Sequence, residues 1–387
     1  MASKTQERFL AKPVNHLYML LVSAGALTFI GLIMVFSASS IRAIDTQGSA
    51  ISIVLRQLLF VAVSIPLAGY LSKLSLAKWE ILARLGLVLS ISLLGLLLIP
   101  GLGKTVNGNT NWINLKYIDV QPSEFAKFLM ILWASYLLAR KEKAGRHNVN
   151  VFGLIGPGFL LIMAMIMYGR DLGTTSVIAA ILAGLLFVSG IQLRLFGWIT
   201  AAGALVLAGL IATSGYRAQR FLVFLDPFAP EDYKYAGWQP AHSLLGLASG
   251  GLFGVGLGGS RQKWGNLAEA HTDFIFSVIG EELGLVGTLA VLALLGTLIY
   301  SMFRIALRAQ EPMIRYACAG IACWFMAQSF LNIGSATRTL PVVGVTLPLV
   351  SYGGSALVAS LCAIGFVAGA ALRDPEVRKE IVKRRGA

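Results

Sequence analysis

The stretch HTDFIFSVIGEELG, His271 to Gly284, places Asp273, Glu281 and Glu282 in a run that otherwise reads as the start of an apolar helix. A charged side chain at the centre of a bilayer costs about 2.5–3.5 kcal/mol on insertion scales, so carboxylates in such a run mark function or paired charge. Asp273, two residues after His271, is a candidate general base, because partial desolvation at a membrane mouth raises a carboxyl pKa toward neutrality. The competing assignment is a helix N-cap, since Thr272 and Asp273 stand where a helix dipole favours negative charge. Glu281 and Glu282 follow about 12–14 Å deeper at 1.5 Å per residue, and must face the bundle interior and find cationic or hydrogen-bonding partners.

Candidate cations flank these carboxylates. In VQPSEFAK, Pro122 suits a first helical turn, and Glu124 and Lys127 share a helix face; they either pair with each other or leave Lys127 as a fixed charge for an anionic substrate. Arg217 and Arg220 share a face in GYRAQRF, where contact with lipid headgroups is the plainer role. Arg261 and Lys263 follow the glycines of SGGLFGVGLGG, whose exposed backbone N–H groups suit a pyrophosphate, the plainer reading being a tight-turned loop without ligand. No β-α-β unit surrounds those glycines, which argues against a dinucleotide fingerprint. In TLPVVGVTLPLVSYGGSAL, Pro341, Gly344, Pro348, Gly353 and Gly354 predict a broken or re-entrant segment, tolerated only where protein shields the backbone.

The elements that must position these groups are membrane helices. Of 387 residues, 56% are hydrophobic and only 13% charged, which excludes a water-soluble globular domain. Hydropathy predicts an all-α integral membrane protein with about ten transmembrane helices, near 17–38, 52–72, 82–101, 123–139, 151–168, 172–190, 194–214, 273–302, 314–334 and 346–371. Residues 1–16 form a polar tail, 17–372 one polytopic domain with a long loop at 215–272 before the eighth helix, and 373–387 a basic tail. That loop, carrying Trp238, Phe253 and Trp264, is expected to be ordered and to lie partly on the membrane surface. No cleavable signal pattern follows the first apolar run.

With both termini in the cytoplasm, most of the 32 Lys and Arg residues fall inside, among them RKEKAGRH at 140–147, Arg304, Arg308 and the C-terminal tail. This placement accounts for most of the net charge of +14 without a nucleic acid. Asp45, Asp119, Glu124, Asp171, Asp226, Glu231, Asp232, Glu269 and Asp273 then fall on or near the outer face, where the chemistry is expected. Cys318, Cys323 and Cys362 sit in apolar helices without metal-ligand spacing and read as buried hydrophobes.

The motifs QPSEFAK (121–127), DLGTT (171–175), GGLFGVGLGGSRQKW with EAHTDFIFSVIGEELG (250–284) and LPLVSYGGS (347–355) resemble the SEDS family of bacterial cell-wall polymerases over nearly the whole chain. SRQKW followed by HTDFIFSVIGEELG is more similar to the division branch of that family than to its elongation branch. Departures are Asn111 before Trp112, where a basic residue is common, Gly169-Arg170 before the DLGTT aspartate, and Ala268 where proline is usual.

The resemblance implies a peptidoglycan glycosyltransferase of the bacterial cytoplasmic membrane that polymerises lipid II at the outer face, in septal wall synthesis. It implies that Asp273 is the catalytic residue, and that Glu124 and Lys127 have functional roles. Arg217, Arg220, Arg261, Lys263 and His271 are the further substrate-binding candidates, with Lys127 ranked first for the pyrophosphate. Asp171, Glu281, Glu282, Ser351, Gly353 and Gly354 are expected to be structural or to line a cavity, Glu281 and Glu282 as anchors of one that receives the lipid tail and headgroup. A divalent cation, Mg²⁺ or Mn²⁺, and no organic cofactor are implied, with no ligand cluster readable. Partners implied are a class B penicillin-binding protein (a transpeptidase), other divisome proteins, lipid II and the membrane. The rival classes are a lipid II flippase or transporter, for which intramembrane charge and broken helices also speak, and a non-catalytic scaffold for a transpeptidase.

Overall fold

In a computed structural model, the described residues are 12–106, 109–115, 118–146, 149–213 and 215–385, without the side chains of Leu210, Tyr216, Arg217 and Arg385. The helices that carry the bundle are α1 (Pro13–Gln47), α2 (Ser52–Ser72), α3 (Leu76–Gly95), α4 (Pro122–Lys143), α5 (Val151–Tyr168), α6 (Leu172–Val188) and α7 (Leu193–Ala212). Two short helices follow, α8 (Gly215–Leu225) and α9 (Trp238–Ser249), then α10 (Ile275–Arg308), α11 (Pro312–Ala336), α12 (Gly354–Arg373) and the terminal α13 (Pro375–Arg385). Seven are long and apolar enough to cross a membrane by length and composition, α6 and most of α7 are shorter apolar helices, and α4 completes the expected ten despite Glu124 and Lys127.

Most boundaries agree with hydropathy to within a few residues, and the exceptions have physical causes. α1 was expected to end near 38, but it continues through the polar SSIRAIDTQ to Gln47, where Gly48 in the left-handed conformation (φ 68°) closes it. Its projecting last turns carry Arg42, which pairs with Glu269 at 3.0 Å. The tenth helix was expected from 346; it starts at Gly354, and 341–347 is extended, so the broken segment predicted from its prolines and glycines is a strap between α11 and α12. The loop 215–272 contains α8 and α9 rather than only irregular chain. A three-stranded antiparallel sheet, β1 (Gly103–Val106), β2 (Asn109–Asn114) and β3 (Asp119–Val120), lies between α3 and α4. Asn111 and Trp112 are in β2, with Lys104 opposite Trp112.

Ion pairs distinguish the two ends of the bundle. At one end α1 contacts the terminal helix through Lys12 and Glu380, Arg308 binds Asp374 at 2.8 Å, and Arg315 binds Glu142 at 2.6 Å. The other end holds Arg42–Glu269, Lys104–Asp119 at 2.7 Å and the turn bearing Asp273.

α10 is broken where the two deep carboxylates stand. Gly284 has φ 67° and ψ −163°, so the N–H groups of Leu285 and Val286 cannot reach the carbonyls of Glu281 and Glu282. The glycine-rich segment fills the gap: Leu285 N donates to Gly251 O (2.9 Å), Val286 N to Leu252 O (3.1 Å), and Val255 N and Gly256 N donate to Glu281 O and Glu282 O (2.9 and 3.1 Å). Backbone polar groups at membrane depth must be satisfied, and here a second chain segment supplies all four partners. So close an approach needs glycine, since a Cβ on Gly250 would lie 1.8 Å from Gly280 O and one on Gly254 2.1 Å from Glu282 O.

Candidate active site

Asp273 sits in the turn before α10. Its side chain caps nothing, because the cap position is Phe274 and carries no side-chain cap bond, so the N-cap assignment does not hold. The turn is closed by Glu269, a non-glycine residue at φ 57°: Thr272 N and Phe274 N donate to its carbonyl at 3.1 and 3.3 Å, and Thr272 Oγ1 donates to its carboxylate at 2.9 Å. From the other side the strap grips the same turn. Ser351 Oγ donates to Thr272 O at 2.6 Å and accepts from Leu347 N, Tyr352 N donates to His271 O at 2.9 Å, and Asn332 Nδ2 bridges Asp273 O and Val345 O at 2.8 and 2.7 Å. Gly344 (φ 71°) faces the carboxylate, where an added Cβ would lie 3.4 Å from Asp273 Oδ2.

The electrostatics of this turn suit a base. Burial pushes the Asp273 carboxyl up to about 7, the Glu269 charge adds to the rise, and the Arg220 charge opposes it. Glu269 itself is held below the usual range, because Arg42 and the Thr272 hydroxyl outweigh its desolvation. Burial lowers His271 to about 4, so its ring is neutral near pH 7; it packs against Tyr352 with centroids 5.5 Å apart. Asp171 caps α6, accepting from Thr174 N and Thr174 Oγ1 at 2.8 Å each, and burial raises its pKa against those bonds.

A cavity of about 830 Å³ has walls that include Arg220, Lys234, Trp238, Gln239, Arg338 and Pro341; Asp273 does not line it, but the Arg220 charge in its wall acts on the Asp273 carboxyl. Two expected substrate-binding cations are elsewhere engaged. Lys127 is 1% exposed, with Nζ donating to Glu124 Oε1 at 2.9 Å and Gln328 Oε1 at 2.8 Å, under the ring of Trp324. The pairing alternative for Glu124 and Lys127 is thus the one adopted, and Gln328 Nε2 carries the network on to Thr346 O in the strap at 2.9 Å. Lys263 is buried too, donating to Gly258 O at 2.6 Å and lying 3.4 Å from Glu282 Oε1.

Glu281 and Glu282, expected as structural anchors of a cavity, fasten the glycine-rich loop. Glu281 accepts from Ser260 Oγ (2.5 Å) and Arg261 N (2.9 Å), and Glu282 from Ser37 Oγ (2.6 Å) and Ser260 N (3.2 Å). Buried carboxylates need this degree of satisfaction. Arg261 keeps an exposed side chain, and the side chain of Arg217 lies outside the described residues. Gly353 N donates to Gln57 Oε1 at 3.4 Å, while a Cβ on Gly354 would lie 2.4 Å from the Phe60 ring, so both glycines serve packing of the strap on α2. Arg42, Asn332, Lys234 and Arg338 were missed from sequence, because each gains meaning only from a partner far away in the chain. Among the described residues no group of three or more His, Cys, Asp or Glu is placed to hold a metal ion.

Comparison with known proteins accords with this architecture. The chain is 39% identical to the probable peptidoglycan glycosyltransferase FtsW of Mycobacterium tuberculosis over 371 residues, 95% of this chain and 70% of that protein. It is 37% identical to the stage V sporulation protein E of Bacillus subtilis, covering 87% of this chain and 91% of that one. Among solved structures, a chain from work on coordination of polymerization and crosslinking by a peptidoglycan synthase complex superposes with a TM-score of 0.75 at 27% identity, covering 92% of this chain and 98% of that chain. The rod shape determining protein RodA of Thermus thermophilus gives 0.68 at 27% identity, covering 92% and 96%. A family model described as a cell cycle protein, FtsW/RodA/SpoVE, matches residues 17–374, and the chain belongs to that family.

Proposed function

We propose that this multi-pass membrane protein is a peptidoglycan glycosyltransferase that polymerises lipid II at the outer face of the cytoplasmic membrane, in septal wall synthesis, with both termini in the cytoplasm. The observation that carries the reading is Asp273 itself: a half-buried carboxyl with a pKa near 7, under the charge of an arginine that lines a large cavity, in a chain whose relatives are named probable peptidoglycan glycosyltransferases. The basic end of the bundle, with Arg140, Lys141, Lys143 and Arg308, suits the cytoplasmic side, which leaves the Asp273 end facing outward.

In this mechanism the 4-hydroxyl oxygen of the acceptor GlcNAc attacks the anomeric carbon of the donor MurNAc. The new O–C bond forms as the bond to the lipid pyrophosphate breaks, the electron pair leaves with the pyrophosphate, and the hydroxyl proton passes to Asp273. One displacement converts the α linkage to β, so a single base suffices and no second carboxylate need act as nucleophile. Arg220 and Lys234, which line the cavity wall, are the cations for the leaving group; Lys127 and Lys263 are buried outside that cavity beside Glu124 and Glu282. The Mg²⁺ or Mn²⁺ implied by the family resemblance is assigned to the substrate, because such ions are commonly held by one or two carboxylates together with substrate phosphates. The donor set among the described residues does not fit a cage built by the protein alone. A transpeptidase of the penicillin-binding class, which would crosslink the strands, is the proposed partner, with other divisome proteins beside it.

The test is polymerisation of purified lipid II by the chain with and without such a partner. Asp273→Asn should insert and bind the partner yet make no glycan. Polymer at the wild-type rate from Asp273→Asn would remove the base and leave a scaffold role; lipid II crossing sealed vesicles without polymer would favour transport.

A further inference from the structure

Arg338 occupies an unusual backbone position. It follows the end of α11 at φ 56°, a left-handed conformation that glycine adopts without penalty and a long side chain does not. Strain of this kind persists where the surrounding structure makes use of the residue. Its guanidinium reaches the C-terminal end of α8: Nε donates to Phe224 O at 2.9 Å, and Nη2 donates to Leu225 O. The last carbonyls of a helix have no partners within it, and a cation there satisfies both hydrogen bonding and the dipole.

The capped helix bears on the base. Arg220 lies one turn before Phe224 on α8, and its charge is the one that holds the Asp273 carboxyl down against burial and Glu269. α8 is a short amphipathic helix: Val223 is buried, whereas Phe221, Leu222 and Leu225 are exposed. Arg220 and Arg338 line the same cavity, one from α8 and one from the segment that continues into the strap, and the Arg338 side chain ties those two elements together. Within the same stretch Gln219 Nε2 donates to Asp232 Oδ1 at 3.4 Å, a longer bond into the adjacent loop.

We infer that Arg338 is a positioning residue: by capping α8 it holds Arg220 in the cavity wall, where its charge reaches Asp273. The inference rests on the proposed glycosyltransferase reading for its kinetic consequence, but not for its structural one. A glycine at 338 separates the latch from the turn, since it relieves the backbone strain and removes the guanidinium. Were Arg338 only a turn residue, Arg338→Gly would be neutral or stabilising.

The test pairs two measurements on the full chain with its partner. Spin labels at Leu222→Cys on α8 and Phe253→Cys on the glycine-rich loop, both exposed sites in a chain whose own cysteines are buried, report the position of α8. Arg338→Gly should broaden that distance distribution, and Arg338→Lys should do so less. In polymerisation of lipid II, Arg338→Gly and Arg220→Ala should each move the acid limb to higher pH, and adding Arg338→Gly to Arg220→Ala should cost little more. A rise of about one unit leaves roughly a tenth rather than half of the base ionised at pH 7, about a fivefold fall in rate. An unchanged distance distribution in Arg338→Gly, a broadened one with an unmoved pH profile, or fully multiplicative effects with Arg220→Ala would each overturn the inference. Failure of the glycosyltransferase reading instead shows as polymer made by Asp273→Asn, and in that case the label distances still decide whether the latch exists.

Discussion

Arg42, in the projecting last turns of the first helix, pairs with Glu269 at 3.0 Å, the residue that closes the turn carrying Asp273. The pair is part-exposed, so its worth to stability is small. Its consequence is electrostatic, because the Glu269 charge raises the Asp273 pKa and Arg42 offsets that charge.

Replacing the two partners should therefore move the pH–rate profile in opposite directions. Glu269→Gln removes the negative neighbour and should shift the acid limb to lower pH; Arg42→Gln leaves Glu269 unbalanced and should shift it higher. The check is kcat/KM for lipid II polymerisation between pH 5 and 9, and shifts of the same sign would refute the account.

Asp273 should also make stability depend on pH. Its folded pKa of about 7 lies above its ordinary value of 3.8, so the favourable neutral form is fully present below pH 4 and is lost as pH rises through 7. Asp273→Asn should match the wild type in Tm near pH 4 and exceed it by a growing margin up to about pH 8. A constant difference across that range would argue that burial does not act on this carboxyl.

The buried pair of Lys263 and Glu282 predicts a non-additive result. Lys263→Met leaves a buried carboxylate without its cation and should cost about 3–5 kcal/mol, whereas adding Glu282→Gln should recover part of the loss. Thermal unfolding of the single and double variants in detergent provides the measure. Additive losses would mean that the two groups are not coupled.

The break in α10 makes glycine substitutions sharply unequal. Gly254→Ala and Gly250→Ala drive a methyl group into the backbone of α10 and should abolish folded protein, while Gly251→Ala, at φ 53° with open space around it, should cost only about 1 kcal/mol. Yield of monodisperse protein on size exclusion separates the cases.

What the sequence made legible was what local chemistry decides. Ten apolar runs and the interruption around Pro341 and Gly344 follow from bilayer thickness and backbone restrictions, and Asp273 is conspicuous because a carboxylate at a membrane-helix entrance is costly. The sheet after α3 also had a signal that went unused, since the dipeptide Asn107-Gly108, outside the described residues, stands between two polar-apolar stretches. Partnerships across the chain were not legible. Nothing local to Lys263 names Ser37 and Glu282 as its neighbours, and nothing local to Lys127 distinguishes a buried bond to Gln328 from a free charge above a substrate. The same holds for Arg338, whose left-handed backbone is invisible until α8 is in place.

The mended break in α10 constrains biogenesis. A translocon releases helices into lipid as finished hydrogen-bonded units, and α10 is not one, because its Leu285 and Val286 amides are completed by Gly251 and Leu252. The loop emerges from the ribosome before the helix it repairs, so the partner is ready when the amides arrive. Insertion and tertiary docking should therefore be coupled in this region, and α10 transplanted alone into a foreign membrane protein should enter the bilayer with these amides unsatisfied.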